Sequence, residues 1–308
     1  MMNSRILIVL VVFSITSCHF SKSKKEESAT KIEFETVKTE SHELVKSTDK
    51  LNQVLILFGG YPETVEDIKK EFKFMETAKR NQIAVLYLNY NQKLWLEESE
   101  KRALAEQLER VFKENKLPAK QLFIGGFSSG GNVALLISDF LTAQNSALAP
   151  KGVFAIDSPI DLAALYKSSE KNIERGFSAP AVQESTWLLN ILGKKMGNPR
   201  DSISNYEKYS VYTSASQNFE QLQHLKKTKI RLYSEPDTLW WQENRKADVD
   251  QMNGYYLDKL AKKLRQSGFN QVEYIPSKNK GYRANGERHP HSWSIVDKND
   301  LVKWIFEN

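Results

Sequence analysis

The sequence predicts an α/β protein: a doubly wound, mostly parallel sheet with a helical insertion over one end. Two observations predict it. Short runs that are apolar on both faces recur along the chain, as buried parallel strands do. Patterns of helical period lie between them, and strands alternating with helices over roughly 250 residues call for a doubly wound sheet.

The elements follow in chain order. Ile32 and Phe34 alternate with Glu33 and Glu35, which predicts a short half-exposed strand. Val54-Leu55-Ile56-Leu57-Phe58 is the first core run and ends in Gly59-Gly60. Ile83-Ala84-Val85-Leu86-Tyr87-Leu88 is the second, Gln121-Leu122-Phe123-Ile124-Gly125-Gly126 the third and Gly152-Val153-Phe154-Ala155-Ile156 the fourth. Lys229-Ile230-Arg231-Leu232-Tyr233 and Val272-Glu273-Tyr274-Ile275 complete the set. Leu104, Leu108, Val111 and Phe112 recur at helical spacing, as do Val249, Met252, Tyr256, Leu260 and Leu264, and a last helix is expected over residues 300–306. Residues 162–227 hold helical pieces without a clear strand and read as the insertion.

At 308 residues with 40% apolar and 27% charged side chains, the chain is globular in composition and long enough for a sizeable core. The net charge of +6 comes from interleaved charges of both signs, with no basic block or nucleic-acid motif, so nucleic acid is not an expected partner. One cysteine excludes an internal disulfide framework, and no Cys/His cluster has zinc spacing; neither metal nor organic cofactor is implied.

The first residues read as an address. Arg5 precedes an apolar run at 6–13 that is too short to span a bilayer. Ile15-Thr16-Ser17-Cys18 resembles the lipobox of bacterial lipoproteins. That resemblance implies loss of residues 1–17, lipidation of Cys18 and a membrane-held domain outside the cytoplasm, with 18–30 a polar tether and 31–308 the folded domain. An ordinary signal peptide with a chance cysteine is the alternative.

Gly126-Phe127-Ser128-Ser129-Gly130-Gly131 follows the third run directly, and a helical stretch follows it. Strand, Gly-x-Ser-x-Gly and helix make a tight turn that projects the Ser128 hydroxyl from the sheet edge; a glycine-rich connection without chemistry is the bland alternative. In this respect the chain resembles the α/β-hydrolase family over roughly residues 31–308. The resemblance implies Ser128 as nucleophile, with an acid and then a histidine following it in the chain. His291, in His291-Ser292-Trp293, looks like the family's ending and is favoured over His289 as the base. Asp237, in Ser234-Glu235-Pro236-Asp237, fits the usual place of the acid, with Glu235 a competitor and Asp157 or Asp161 weaker alternatives. Phe58-Gly59-Gly60-Tyr61 resembles the family's oxyanion turn, so the N–H groups of Ser129 and of Gly60 or Tyr61 are the expected oxyanion donors.

The insertion carries Phe177, Trp187, Leu188, Leu189, Ile191, Leu192 and Met196, more in the manner of a lid core than of an acyl pocket, and Trp240 and Trp241 border the pocket or pack under the lid. The basic loop over 278–288 is solvated by default, or else Arg283 or Arg288 faces an acidic group on the substrate. The resemblance implies a hydrolase that cleaves small-molecule carboxylic esters through an acyl-enzyme. An amide hydrolase on the same triad and a tethered binding protein that has lost catalysis are the alternatives. Oligomeric state is not legible.

Overall fold

The computed structural model describes residues 32–49, 51–90 and 93–307. The signal segment, Cys18 and the tether lie outside the described residues. The chain runs β1 (Phe34–Lys38), β2 (His42–Ser47), β3 (Gln53–Phe58), α1 (Val65–Phe72), α2 (Met75–Arg80), β4 (Ile83–Leu88), α3 (Glu98–Glu114), β5 (Leu122–Phe127), α4 (Ser129–Ala143) and β6 (Gly152–Ile156). It continues through α5 (Leu162–Arg175), α6 (Ala179–Met196), α7 (Ile203–Glu207), β7 (Lys229–Ser234), α8 (Thr238–Arg245), α9 (Asn253–Gln266), β8 (Val272–Pro276) and α10 (Lys298–Phe306).

All six predicted core runs are strands, and they pair in parallel. The sheet order is β1-β2-β4-β3-β5-β6-β7-β8, with β1 and β2 antiparallel at one edge. Strand β2 escapes an apolar-run reading because Glu43 and Lys46 interrupt it. Glu43 is nevertheless buried, and Lys69 of α1 pairs with it at 2.5 Å.

The alternation of side chains along each strand builds two cores. Val54, Ile56 and Phe58 face α3, α4 and α9, while Leu55 and Leu57 face α1, α2 and α10. Both faces of the parallel strands are therefore covered, which is why their sequences show no polar alternation.

The order also fixes where a site can lie. From β3 the chain passes to β4 on one side and then to β5 on the other. That reversal leaves a crevice at the carboxyl ends of β3 and β5, the place where open α/β sheets bind ligands. The Gly59-Gly60-Tyr61 turn leaves β3 there, and Ser128 leaves β5 there.

Between β6 and β7 the insertion forms α5, α6 and α7. Asp161 caps α5 through the Ala164 N–H, and Gly176 ends it in the left-handed conformation. Ser178 and Pro180 start α6. Leu188, Leu192 and Met196 pack on Leu162, Leu94 and Tyr206 in a third, smaller core. The apolar spacing of α6 thus serves the insertion's own packing. The 3-10 turn at Glu220–Lys227 belongs instead to the main body, where Leu222 and Leu225 join the core under α4.

Candidate active site

Ser128 sits between β5 and α4 with φ 52 and ψ −127, a conformation costly for any residue with a Cβ. The turn is over-determined. The Ser128 N–H donates to the Ile156 carbonyl at 2.8 Å, and the Gly131 N–H donates to the Ser128 carbonyl at 3.0 Å. A Cβ at Gly126 would lie 2.1 Å from the Gly130 carbonyl oxygen, and one at Gly130 would lie 2.4 Å from the Phe58 and Gly59 carbonyl oxygens. The flanking glycines are therefore required by close backbone approach. The half-buried Ser128 side chain stands at the crevice.

The His291 ring lies 4.5 Å from that of Phe127, the residue before Ser128. His291 Nδ1 meets Asp157 Oδ2 at 2.6 Å. Asp157 follows β6, is 5% exposed and adopts φ 42, a left-handed conformation that Asp tolerates better than most residues. Its N–H donates to the Tyr233 carbonyl, and its carbonyl accepts from Asn253 Nδ2. Ser128 Oγ and His291 Nε2 make no hydrogen bond among the described residues.

This geometry corrects the expected acid. Asp237 does not meet His291: its Oδ1 caps α8 through the Trp240 N–H at 3.0 Å, and its Oδ2 accepts from Arg288 Nη2 at 2.7 Å. Glu235 does not meet His291 either. It is buried, and its Oε2 accepts from Ser277 Oγ, the Lys280 N–H and the Gly281 N–H at 2.8–2.9 Å, while Oε1 pairs with Arg288. Asp161 is held by the N–H groups of Ala164 and Ser214. The carboxylate the imidazole finds is Asp157, because the loop over 277–291 is drawn onto the end of β7 by Glu235 and returns toward β6.

The oxyanion turn also departs from expectation. The Gly60 N–H donates to Glu63 Oε2 at 2.8 Å, and the Tyr61 N–H donates to Ser129 Oγ at 3.0 Å. Gly60 is thus withdrawn as a donor by an internal partner. Ser129 opens α4, and the first N–H groups of a helix have no intrahelical acceptor, so its backbone donor is available for an anion. A Cβ at Gly60 would come within 2.8 Å of Ser128 Cβ, so the turn lies directly against the serine.

Sequence reasoning missed Glu63. Trp293 Nε1 donates to both its carboxylate oxygens at 3.1 Å, so one side chain ties the oxyanion turn to the segment just after His291. Burial pushes the Glu63 carboxyl above its usual range, against the opposing pull of the Gly60 and Trp293 N–H groups. Its only sequence signal is a carboxylate three residues beyond Gly60 and four beyond the first glycine. Missed too is Tyr61's ring, stacked on Trp187 of α6 at 4.7 Å, which lays the insertion over the turn.

His289 is buried apart from the pair. Arg245 Nη2 bonds its Nε2 at 3.2 Å, and the Trp240 ring lies 4.9 Å away. Burial, with the charges of Arg283, His291 and Arg245, pushes its imidazole down to about 3. It is held neutral and cannot cycle as a base near neutral pH. A second His–carboxylate pair, His224 with Asp139 at 2.9 Å, joins the 3-10 turn to α4. Among the described residues no group of three or more His, Cys, Asp or Glu side chains is placed to hold a metal ion, and no helix is long and apolar enough to cross a membrane.

No protein-family model matches the chain, and no curated protein does. Solved structures do. An esterase from Rhizomucor miehei superposes with a TM-score of 0.52 at 16% identity, over 89% of this chain and 82% of that one. The esterase EstE5, whose crystal was soaked with p-nitrophenyl butyrate, superposes with a TM-score of 0.53 at 14% identity, over 89% and 85%. The chain has the α/β-hydrolase fold. In this fold Ser128 occupies the sharp turn between β5 and α4. The likeness extends to an esterase of the bacterial hormone-sensitive lipase family, with a TM-score of 0.50 at 13% identity over 89% and 82%.

Proposed function

We propose that this chain is a serine hydrolase that cleaves small-molecule carboxylic esters. The observation that carries the reading is the His291–Asp157 contact of 2.6 Å beside a serine held at φ 52. A neutral imidazole with Nδ1–H on Asp157 presents Nε2 as the acceptor, which is the tautomer a general base needs. His291 Nε2 takes the Ser128 proton as Oγ attacks the carbonyl carbon, and Asp157 steadies the imidazolium. The tetrahedral oxyanion is met by the Ser129 N–H, and by the Tyr61 N–H once the Ser129 hydroxyl turns aside. His291 then returns the proton to the leaving alcohol. Water, deprotonated by the same nitrogen, releases the acid from the acyl-enzyme. The ester preference follows the esterases with which the fold superposes.

The test is fluorophosphonate labelling and p-nitrophenyl butyrate turnover of the full chain, with Ser128→Ala and His291→Ala alongside. Wild type labels and turns over; both variants lose labelling. A folded wild type that neither labels nor hydrolyses leaves a non-catalytic protein of this fold. We propose also that Cys18 is lipidated and holds the domain at a membrane face outside the cytoplasm. Fatty-acid labelling in a bacterial host, lost in Cys18→Ala, is the expected result.

A further inference from the structure

Four carboxylates surround the mouth of the site, and each is engaged. Asp157 holds His291, Glu63 holds Gly60 and Trp293, and Glu235 and Asp237 share Arg288. Arg288 is therefore neutralised and its other nitrogen is tied to the Gly281 carbonyl, which removes it from substrate recognition. Two guanidinium groups remain. Neither Arg245 nor Arg283 forms a salt bridge with a carboxylate among the described residues.

Arg245 ends α8, and the one hydrogen bond of its guanidinium among the described residues goes to the neutral ring of His289. Its guanidinium lies 5.9 Å from the Trp240 ring centre. The His289 ring is in turn 6.3 Å from the ring of His291. The charge thus stands one imidazole beyond the proposed base, beside the half-buried indoles of Trp240 and Trp241. Arg283 approaches from the other arm, on the small hairpin where Tyr282 bridges Arg288. The same hairpin is tied to the segment after His291, where the Tyr282 N–H donates to Ser294 Oγ at 2.7 Å, and it leads directly into His289 and His291.

We propose that this mouth selects esters bearing a carboxylate a few bonds from the scissile carbonyl, with Arg245 and Arg283 as the groups that recognise it. A guanidinium with unused donors takes a carboxylate in a planar, two-point contact. Trp240 and Trp241 supply half-buried aromatic faces beside the exposed Arg245, against which the apolar chain of such an ester can lie. The proposal rests on the hydrolase reading above and adds the substrate class.

The experiment compares kcat/KM of the full chain on the mono-p-nitrophenyl ester of glutaric acid and on p-nitrophenyl butyrate, at low and high salt. Wild type is expected to favour the carboxylated ester by about 10-fold or more, the range of a charge-assisted contact, and added salt should shrink the ratio. Arg245→Gln and Arg283→Gln should each lose about 10-fold more on the carboxylated ester than on butyrate, and Arg283→Lys should recover part of the ratio. Arg283 lies on a surface hairpin, so its variants report even where Arg245→Gln disturbs His289. A wild-type ratio near one, or equal losses on both esters, overturns the proposal while butyrate turnover keeps the hydrolase reading. A wild type inert to both esters and to the fluorophosphonate overturns the two together.

Discussion

The turns after β6 and β7 are neighbours at the carboxyl end of the sheet, and each carries buried acid. The first gives Asp157 to a single imidazole nitrogen. The second gives Glu235 and Asp237 to a guanidinium, two backbone N–H groups, a serine hydroxyl and a helix cap. The contrast teaches that the two turns divide one task. Glu235 fixes the path of the loop over 277–291, and that path delivers His291 to Asp157 rather than to Asp237. In the proposed mechanism the acid nearer His291 in the chain, Glu235, sets the stage on which the farther one, Asp157, acts.

The largest expected effect breaks the comparison cleanly. Asp157→Asn should lower kcat on the order of 10⁴-fold, the cost in serine proteases of holding the base histidine in the wrong tautomer. Asp237→Asn should leave kcat within roughly 10-fold, because it loses a cap and one oxygen on Arg288 rather than a contact with the imidazole. Steady-state kinetics on p-nitrophenyl butyrate, with the melting temperature of each variant, decide it. If Asp237→Asn proves as damaging as Asp157→Asn while remaining folded, the division of labour is wrong.

What was legible in the sequence was local. Ser128 follows a strand and precedes a helix within a few residues, so its geometry is determined by its neighbours. The six core runs are legible for a similar reason, since burial on both faces leaves only apolar residues. His291 stood out as a candidate from its place after the last strand and from its neighbour Trp293, and the structure brings its ring to Asp157. The carboxylate that His291 meets was not legible, because two strand ends, those of β6 and β7, offer carboxylates and the choice depends on the course of a loop more than a hundred residues after Asp157. The partners of the Gly60 and Tyr61 N–H groups were not legible either, because they are set by Glu63 and Ser129, whose hydrogen bonds have no signature in the chain. Strand β2 was hidden by Glu43, whose burial is tolerable only with Lys69 beside it.

A smaller effect sharpens the comparison from the β7 side. Glu235→Gln keeps the shape but removes the charge that Arg288 and the two N–H groups share. The loss of a buried, charge-assisted cluster predicts about 1–3 kcal/mol of destabilisation. For a domain of this size that is a drop in melting temperature of roughly 2–10 °C. Activity should fall with it, and the loss should be larger at higher temperature as the loop loosens. Unchanged stability with a collapse of kcat would make Glu235 a direct participant instead of an anchor.

The smallest effect concerns His289, which the β7 side holds among cations. Its imidazole is pushed down to about 3, from an ordinary value of 6.5, by burial first and then by Arg283, His291 and Arg245. Between those two values the unfolded chain binds a proton that the folded chain refuses. Stability therefore falls as pH drops from about 6.5 toward about 3, at up to about 1.4 kcal/mol per pH unit from this residue, and is fully present above 6.5. His289→Gln removes the titrating group while keeping a polar side chain for Arg245. Melting temperatures of wild type and variant from pH 7 to pH 4.5 should converge as the pH falls, the variant showing the flatter profile. Parallel profiles would mean that His289 is open enough to take its proton in the folded chain, and the cationic arm beside His291 would then be a solvated surface rather than part of a built mouth.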